Sequence, residues 1–366
     1  MAKSLLQILG YVPLTGLIQA TTSGLPSPIP ESFFTTKGST VGNVGRYTQV
    51  NGTRKTARLV QYGAPAMRRQ LKDVASKDVK LLHTFEEIQI DMTVMQLLRN
   101  YTNPQLQARG EDEIIRQVKE FRQLFDNLRT AATLQALATG FVYFDGDGNL
   151  LPSSSGAKVT IDYGMNATTN KGQLQDAGGN TIITSWATAS NDIPGMVRTI
   201  RKTAARRTGY KLKYALYGEN IPSYLAKNDY VKDWFTRHPD KRAQYLDTGE
   251  LPDGLMGLTW VPAYEAFYED ANATNRDIWT NDTVVFTPEP SRDWWEIMEG
   301  TFPVPTTINL TADAVAAAGT FKDVQGMFGY GLPCTNPPGA FNGYMGDTFL
   351  PIIKVPDAVY MADVTP

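Results

Sequence analysis

The sequence contains few of the residues that form disulfide bonds or bind metal ions in small proteins. It contains one cysteine, Cys334, and two histidines, His83 and His238, among 366 residues. A single cysteine excludes an internal disulfide, and so few cysteines and histidines exclude the usual zinc-site spacings. No apolar run approaches the ~20 residues that a membrane-spanning helix needs. The formal net charge of -2 excludes a global field that would attract nucleic acid or an anionic membrane. Any charged contact must therefore be local.

Sequence motifs of common enzyme active sites are also missing. The chain has no Gly-x-Ser-x-Gly elbow, no Gly-x-x-x-x-Gly-Lys phosphate loop and no Gly-x-Gly-x-x-Gly after a predicted strand. His83 lies in a strand-like segment and His238 follows a helix-like one, so we interpret both as structural. Asp145 and Asn149 imitate a calcium-binding loop, but Leu150 replaces the required glycine, which predicts a turn. We expect no catalytic residue, no metal and no cofactor.

Two alternatives stay open from the residues alone. Two acidic side chains across a cleft suffice for a carboxylate-based carbohydrate hydrolase. The adjacent Trp294 and Trp295 would suit a sugar platform, although aromatic pairs are more typical of cores and subunit contacts. The second alternative is a DNA-binding protein that uses the basic strip at residues 46–80.

Residues 1–45 are predicted to form an arm. They contain several proline and glycine residues and few periodic apolar positions, which favours extended chain over a packed element. An arm buries little against itself. Its apolar residues, Leu9 and Phe33 among them, then need a covering surface, which a neighbouring molecule can provide.

Residues 46–80 carry the clearest charge signal, with nine basic residues against two acidic ones, a net +7. Asn51-Gly52 is typical of a two-residue hairpin turn, because both central residues of that turn have positive φ. It predicts a hairpin between residues 47–50 and 57–62. We predict that this strip docks on an acidic surface, with a solvated face and a nucleic-acid contact as alternatives. The candidate contact residues are Arg54, Lys55, Arg58, Arg68 and Arg69.

Residues 111–139 give the strongest helix prediction. Apolar residues recur at spacings of three or four: Ile114, Val118, Phe121, Phe125, Leu128 and Ala132, with Leu124, Ala131, Leu134 and Leu137 widening the stripe. Glu111, Asp112 and Glu113 are placed in the first turn, where acidic side chains suit the helix dipole. Gly140 can supply the left-handed residue that ends the helix. These three acids, together with Glu120, form the acidic surface that the basic strip could contact.

The remaining pattern is α+β. A hairpin is predicted from residues 141–144 to 158–163, followed by helices at 194–207 and 222–235. Strands are predicted at 213–217, 258–262, 266–268 and 283–286, and strand-like segments at 350–354 and 358–361. The helix at 194–207 is basic, through Arg198, Arg201, Lys202, Arg206 and Arg207. We interpret it as a solvated helix, with phosphate contact as the alternative.

The order of these elements, and several short motifs, resemble the major capsid proteins of tailed phages, specifically the lambda-like E family with the Hong Kong 97 fold. Residues 63–66 (Gly-Ala-Pro-Ala) and 84–88 (Thr-Phe-Glu-Glu-Ile) are similar to the family's elongated loop and returning strand. Residues 136–140 are similar to the end of its spine helix. Residues 258–260, with Tyr264, Tyr268 and Asp270, are similar to part of its axial domain. Residues 350–358 are similar to its closing strand.

The resemblance implies a Hong Kong 97-like capsid fold of five segments. Residues 1–45 would be the N-terminal arm and 46–90 the elongated β-hairpin loop. Residues 91–190 would form the peripheral domain, with a spine helix at 111–139. Residues 191–320 would form the axial domain, and 321–366 would return to the peripheral domain.

The resemblance also implies a structural function. Copies would assemble into hexamers and pentamers of an icosahedral shell that encloses double-stranded DNA without reading its sequence. The implied partners are other copies of the chain, a portal protein and a cementing protein, with no membrane. The implied location is the virion capsid, after assembly in the host cytoplasm.

Overall fold

The computed structural model describes residues 9–21, 27–50, 74–98, 103–146, 149–176, 178–269, 275–305, 321–333 and 341–365. Within these residues the chain mixes helices and strands, so the α+β prediction is confirmed. The α-helices are α1 (Tyr11–Ala20), α2 (Ser32–Thr35), α3 (Met92–Leu98), α4 (Pro104–Thr139), α5 (Ile193–Arg207), α6 (Ile221–Lys227), α7 (Asp229–Arg237) and α8 (Pro239–Thr248).

The strands follow in chain order. They are β1 (Lys37–Ser39), β2 (Val44–Val50), β3 (Val74–Lys80), β4 (Leu82–Ile90), β5 (Phe141–Phe144), β6 (Leu150–Leu151), β7 (Val159–Asp162), β8 (Lys171–Gly172), β9 (Leu212–Tyr217), β10 (Thr259–Pro262), β11 (Phe267–Glu269), β12 (Asn275–Asp277), β13 (Thr283–Pro288), β14 (Trp295–Glu299), β15 (Thr301–Pro305), β16 (Phe321–Gln325), β17 (Phe328–Pro333), β18 (Phe341–Ile353) and β19 (Tyr360–Asp363).

Helix α4 is 36 residues long and begins earlier than the sequence predicts. The Asn103 side chain accepts a hydrogen bond from the Gln105 N–H at 3.0 Å, and Pro104 occupies the first turn. Proline is favoured there because its missing N–H has no helical partner. The predicted start at Glu111 is therefore wrong by about two turns. The predicted end is confirmed, since Gly140 has φ 72° and caps the helix in the left-handed conformation.

The first sheet is organised around β18. One edge of β18 pairs with β4 in antiparallel register, from Phe341 with Ile90 to Phe349 with Leu82. Its other edge pairs with β17 towards its start and with β14 towards its end, and β1 continues the sheet beyond β14. The C-terminal half of β18 is buried in the same apolar cluster as the last turns of α4. The long helix therefore lies against this sheet.

The second sheet has the strand order β10-β9-β13-β19-β8. Helix α5 covers it through Val197, Ile200 and Ala204, which belong to a second apolar cluster with β9, β13 and β19. The predicted helix at 222–235 is two helices, α6 and α7. Asn228 separates them because its side chain caps α7 at the Val231 N–H and donates to two carbonyl groups of the loop that precedes α5.

The N-terminal segment is more regular than an extended arm. Helix α1 packs on β17, with Leu14 and Ile18 buried. Thr15 fixes the contact, because its hydroxyl donates to the Gly329 carbonyl at 3.0 Å. The prediction of few packed elements in residues 1–45 is therefore wrong for this stretch. Leu14 and Ile18 are covered by the chain's own sheet, whereas Val12 is exposed.

The predicted hairpin after α4 is confirmed. Strands β5 and β7 pair from Phe141 with Asp162 to Phe144 with Val159. Asp145 turns the chain, because its carboxylate accepts a hydrogen bond from the Asn149 N–H at 2.8 Å. This is the turn chemistry that the sequence predicts at the calcium-like segment.

Candidate functional site

The base of the basic strip is a two-stranded ribbon of β2 and β3. They pair in antiparallel register from Val44 with Lys80 to Val50 with Val74. Residues 47–50 therefore pair with 74–77, so their partner lies farther along the chain than the Asn51-Gly52 turn predicts. That turn and the predicted strand 57–62 lie outside the described residues.

Side chains of the ribbon fix it to the body of the protein. Gln49 donates to the Tyr163 carbonyl at 3.1 Å, and Lys77 donates to the Asp162 carbonyl at 3.4 Å. Tyr47 is buried beneath the ribbon. Burial, and then the nearby charge of Asp162, raise the pKa of Tyr47 to about 12. These contacts hold the ribbon of β2 and β3 against the body of the protein at the end of β7.

Arg46 and Asp78 face each other across the ribbon. The Nε–Oδ1 and Nη2–Oδ2 distances are 2.7 and 3.0 Å, so the guanidinium binds both carboxylate oxygens. This hydrogen bonding lowers the pKa of Asp78. One of the two acidic residues of the strip is thus neutralised locally. The five candidate cations Arg54, Lys55, Arg58, Arg68 and Arg69 lie outside the described residues.

The four candidate acids all lie on α4, but not in its first turn. Because α4 begins at Pro104, Glu111, Asp112 and Glu113 lie about two turns inside it. The effect of the helix dipole fades beyond the first turn. The prediction that these acids interact with the dipole is therefore wrong.

A cation on the same helix compensates two of these acids. Arg116 contacts Glu113 and Glu120, each at an N–O distance of 2.5 Å. The hydrogen bond from Arg116 lowers the pKa of Glu113. The outer face of α4 is therefore a mixed charged surface rather than a purely acidic one.

Leu124 lies on that outer face and not in the buried stripe where the sequence places it. Its exposed fraction is 57%, and it follows Arg116 and Glu120 at successive intervals of four residues. Residues at this spacing share a helix face. The buried stripe consists of Ile114, Val118, Phe121 and Phe125, so the face opposite to it carries charges and one large apolar side chain. We call Glu113, Arg116, Glu120 and Leu124 the outer row of α4.

Sequence reasoning missed a buried ionic cluster centred on Arg129. Its Nε and Nη2 each lie 2.6 Å from an oxygen of Asp347, and its Nη1 lies 2.9 Å from Glu299. Lys37 also contacts Glu299, at 2.9 Å. Arg129 and Asp347 are buried, and the cluster joins α4 to β18, β14 and β1. The available signal was a cation at position 129, four residues after Phe125, where the apolar stripe continues.

The Arg129 cluster forms one wall of a cavity of about 660 Å³ between α1, α4 and β16. Its charged lining residues are Lys37, Arg122, Arg129, Glu299, Lys322 and Asp323. Burial alone would raise the pKa of Glu299, but the charges of Arg129 and Lys37 outweigh that effect and lower it. A carboxyl group held in its charged form is a poor proton donor, so Glu299 does not suit the raised-pKa acid role of a glycosidase.

The histidine and tryptophan side chains have packing roles. His83 lies 2.8 Å from the Thr348 hydroxyl and stacks on Phe302. His238 lies between α7 and α8 and stacks on Trp234, 4.4 Å between ring centroids. Trp294 and Trp295 are fully buried and contact Phe33. The tryptophan pair is therefore not a sugar platform.

Within the described ranges, no group of three or more Asp, Glu, His or Cys side chains is arranged to hold a metal ion. In the same ranges, no helix is both long and apolar enough to span a bilayer.

Comparison with known proteins gives one family and several similar structures. The sequence model of a family described as phage major capsid protein E matches residues 24–320. No curated protein sequence matches the chain. A putative capsid protein of a prophage of E. coli CFT073 is 12% identical, with a TM-score of 0.55, covering 97% of this chain and 99% of its own. At that identity the likeness shows a shared fold.

Two further structures cover the chain to a similar extent. A phage-related protein from Bordetella bronchiseptica RB50 is 10% identical, with a TM-score of 0.48 and coverage of 97% of both chains. A structure described as Gordonia phage Cozz is 10% identical, with a TM-score of 0.44, covering 94% of this chain and 90% of its own.

Proposed function

Because the chain belongs to the phage major capsid protein E family, we propose that its copies contact one another through the basic strip 46–80 and the outer row of α4. Members of this family are structural proteins, so the chain is a major capsid protein of an icosahedral phage shell and not an enzyme. The proposal concerns how neighbouring subunits bind.

The observation that carries the proposal is the ribbon of β2 and β3. Its root is fixed to the body by Gln49, Lys77 and the buried Tyr47. Residues 51–73, which connect its two strands, contain six basic residues and one acidic residue. The fixed ribbon would hold residues 51–73 in one position relative to the body. Their positive charge would favour one partner surface and one register, because charges across an interface are complementary.

The outer row of α4 is the partner surface that we propose. Leu124 supplies an exposed apolar contact, and Glu120 and Glu113 carry negative charge at one and about three turns before it on the same helix. Arg116 reduces the attraction, so charge would set the register of the contact rather than its strength. Buried apolar area, beginning with Leu124, would supply most of the association energy. Repetition over many copies then multiplies a modest contact.

Family membership supports a wider assignment. We propose that residues 1–45 are the arm, 46–90 the elongated loop, 91–190 with 321–366 the peripheral domain and 191–320 the axial domain. In this assignment the subunits form hexamers and pentamers, assemble in the host cytoplasm and enclose double-stranded DNA. A portal protein and a cementing protein would bind the finished shell.

The test is assembly of a charge-reversed subunit. Arg54→Glu, Lys55→Glu and Arg58→Glu together should greatly reduce the yield of shells seen by electron microscopy. The circular dichroism of the unassembled subunit should stay unchanged. A matched control is Lys227→Glu, Arg237→Glu and Arg242→Glu, which makes the same charge change at exposed residues of α6, α7 and α8.

A compensating variant tests the partner surface. Adding Glu113→Lys and Glu120→Lys to the reversed strip should restore part of the shell yield, because the charges are again complementary. Normal shells from the reversed strip alone would refute the contact. Discrete small particles from the unmodified chain would count against assembly itself.

A further inference from the structure

Helix α5 carries a row of exposed cations along one face. Arg198, Lys202 and Arg206 lie at intervals of four residues, and all three are exposed. The opposite face is buried through Val197, Ile200 and Ala204. Side chains four apart share a helix face, so these three cations form one line, which we call the α5 row.

The α5 row has no acidic counterpart in the part of the chain that the structure describes. None of its three members is in an ion pair there, whereas Arg116 and Arg122 of α4 each have an acid four residues away. Like charges at this spacing destabilise a helix by themselves. The row therefore has an uncompensated charge that an external anion would stabilise.

Two neighbouring arginines are placed differently. Arg201 is exposed and donates to the Met256 carbonyl at 2.8 Å, a neutral partner that orients the guanidinium without cancelling its charge. Arg207 lies 4.0 Å from Asp357. Arg201 thus extends the positive face, and Arg207 does not.

We propose that the α5 row contacts the phosphate backbone of double-stranded DNA. The rise of ~1.5 Å per residue places successive members about 6 Å apart along the axis. A row of three then spans about 12 Å, which corresponds to three or four phosphates of one strand at ~3.4 Å each. Point cations on phosphates position a protein on DNA without reading its sequence.

The composition of this face favours DNA over an acidic protein. None of the exposed large apolar side chains of the described residues belongs to α5. Protein interfaces are enriched in arginine, but they also have apolar or aromatic anchors at their centre and few lysines. A purely cationic row lacks such an anchor but suits a polyanion.

This inference rests on the proposed function, since a shell subunit that encloses DNA has a surface facing it. The α5 row would then lie on the inner side of the shell. It would bind weakly and without sequence preference, and many copies would together hold the outer layer of DNA in place.

The experiment measures binding of the full chain to a fluorescent DNA duplex by anisotropy at several salt concentrations. Arg198→Ala, Lys202→Ala and Arg206→Ala together should reduce the slope of log affinity against log salt by about 2.7, because each phosphate contact contributes ~0.9. Near ~0.1 M salt this corresponds to a loss of about 500-fold in affinity. Shell formation should continue, as seen by electron microscopy.

The matched control is Lys227→Ala, Arg237→Ala and Arg242→Ala, which removes the same charge from the same part of the chain and should leave the slope unchanged. An unchanged slope in the α5 variant, or no DNA binding by the unmodified chain, would overturn the inference. Loss of shells with DNA binding retained would also overturn it, since the row would then be a protein contact. Failure of the unmodified chain to form shells would instead reject the proposed function.

Discussion

Removal of Arg129 should destabilise the subunit far more than removal of a cation on the outer row of the same helix. Arg129→Met keeps an unbranched side chain of similar length and deletes the charge. The buried Asp347 then loses both of its 2.6 Å contacts, and Glu299 keeps only the half-exposed Lys37. An uncompensated buried charge typically costs about 3–5 kcal/mol. We expect a loss of that size in the free energy of unfolding at neutral pH.

The loss should shrink on acidification. In the native chain the charges of Arg129 and Lys37 hold the pKa of Glu299 below its ordinary value of 4.5 against the effect of burial. A depressed carboxyl pKa stabilises the fold above the ordinary pKa, and this contribution is lost as the pH falls through the folded-state pKa. Without Arg129 the pKa of Glu299 rises, because Lys37 alone then opposes the effect of burial. The difference between native chain and variant should therefore begin to decrease as the pH falls through the raised pKa of the variant, and it should continue to decrease down to the depressed pKa of the native chain.

The assay is urea denaturation followed by tryptophan fluorescence, since Trp294 and Trp295 are fully buried. Arg116→Met is the control, because its ion pairs are exposed and should contribute little. A triple variant with Arg129→Met, Asp347→Leu and Glu299→Met should recover much of the loss, because no unpaired charge stays buried. Equal midpoints for Arg129→Met and Arg116→Met would refute the reasoning.

Four smaller predictions concern single residues, each measured by thermal or chemical denaturation of the subunit. Asn103→Ala removes the cap of α4 and should cost about 0.5–2 kcal/mol, and Asn103→Asp should retain most of the stability. Gly16 lies within α1, and no atom lies within 4 Å of the position that an added Cβ would occupy, so Gly16→Ala should stabilise by about 0.5–1 kcal/mol; a loss of stability would contradict this. Gly218→Ala would place a Cβ against the Thr280 carbonyl and should cost about 1–3 kcal/mol, so a neutral result would contradict that close approach. The buried hydroxyl of Tyr47 has no partner among the described residues, so Tyr47→Phe should be tolerated at pH 7. Because the folded-state pKa of Tyr47 is raised to about 12, the native chain should lose stability above about pH 10, and the Phe variant should lose less.

Elements with complete local signals were predictable. Helix α5 was placed within one residue of its observed bounds, because Asp192 caps it and the apolar period is regular. The strands β9, β10 and β13 were also located, since each is a short apolar segment between turns. In these cases the tertiary structure agrees with the local preference.

The boundaries that failed depended on side chains at helix ends. The acids at 111–113 imitate the first turn of a helix, whereas the observed start depends on the Asn103 cap and on Pro104. The break at Asn228 has a local component, because asparagine is a favoured N-cap residue and its side chain caps α7. Its amide group also donates to the carbonyls of Ala189 and Asn191, which are distant in sequence, and only the folded chain shows these contacts.

The candidate site also contains features that the local sequence predicts and features that depend on tertiary contacts. The acids of α4 were correctly assigned to a helix, but their compensation by Arg116 and the exposure of Leu124 depend on which face the sheet covers. Arg129 and Asp347 are 218 positions apart, and the contact between Lys37 and Glu299 spans a still longer stretch of the sequence, so no local pattern predicts the Arg129 cluster. The cations of the strip at 54, 55, 58, 68 and 69 stay predictions, because they lie outside the described residues.

The long strand β18 has a consequence for protein synthesis. A growing chain that has reached residue 340 lacks the strand that joins β4, β14 and β17, and it also lacks β19, which lies between β13 and β8. Both sheets are therefore completed only when the last part of this sequence emerges from the ribosome. A product that terminates before residue 341 would have neither sheet intact, so we expect such shortened copies to be excluded from a particle.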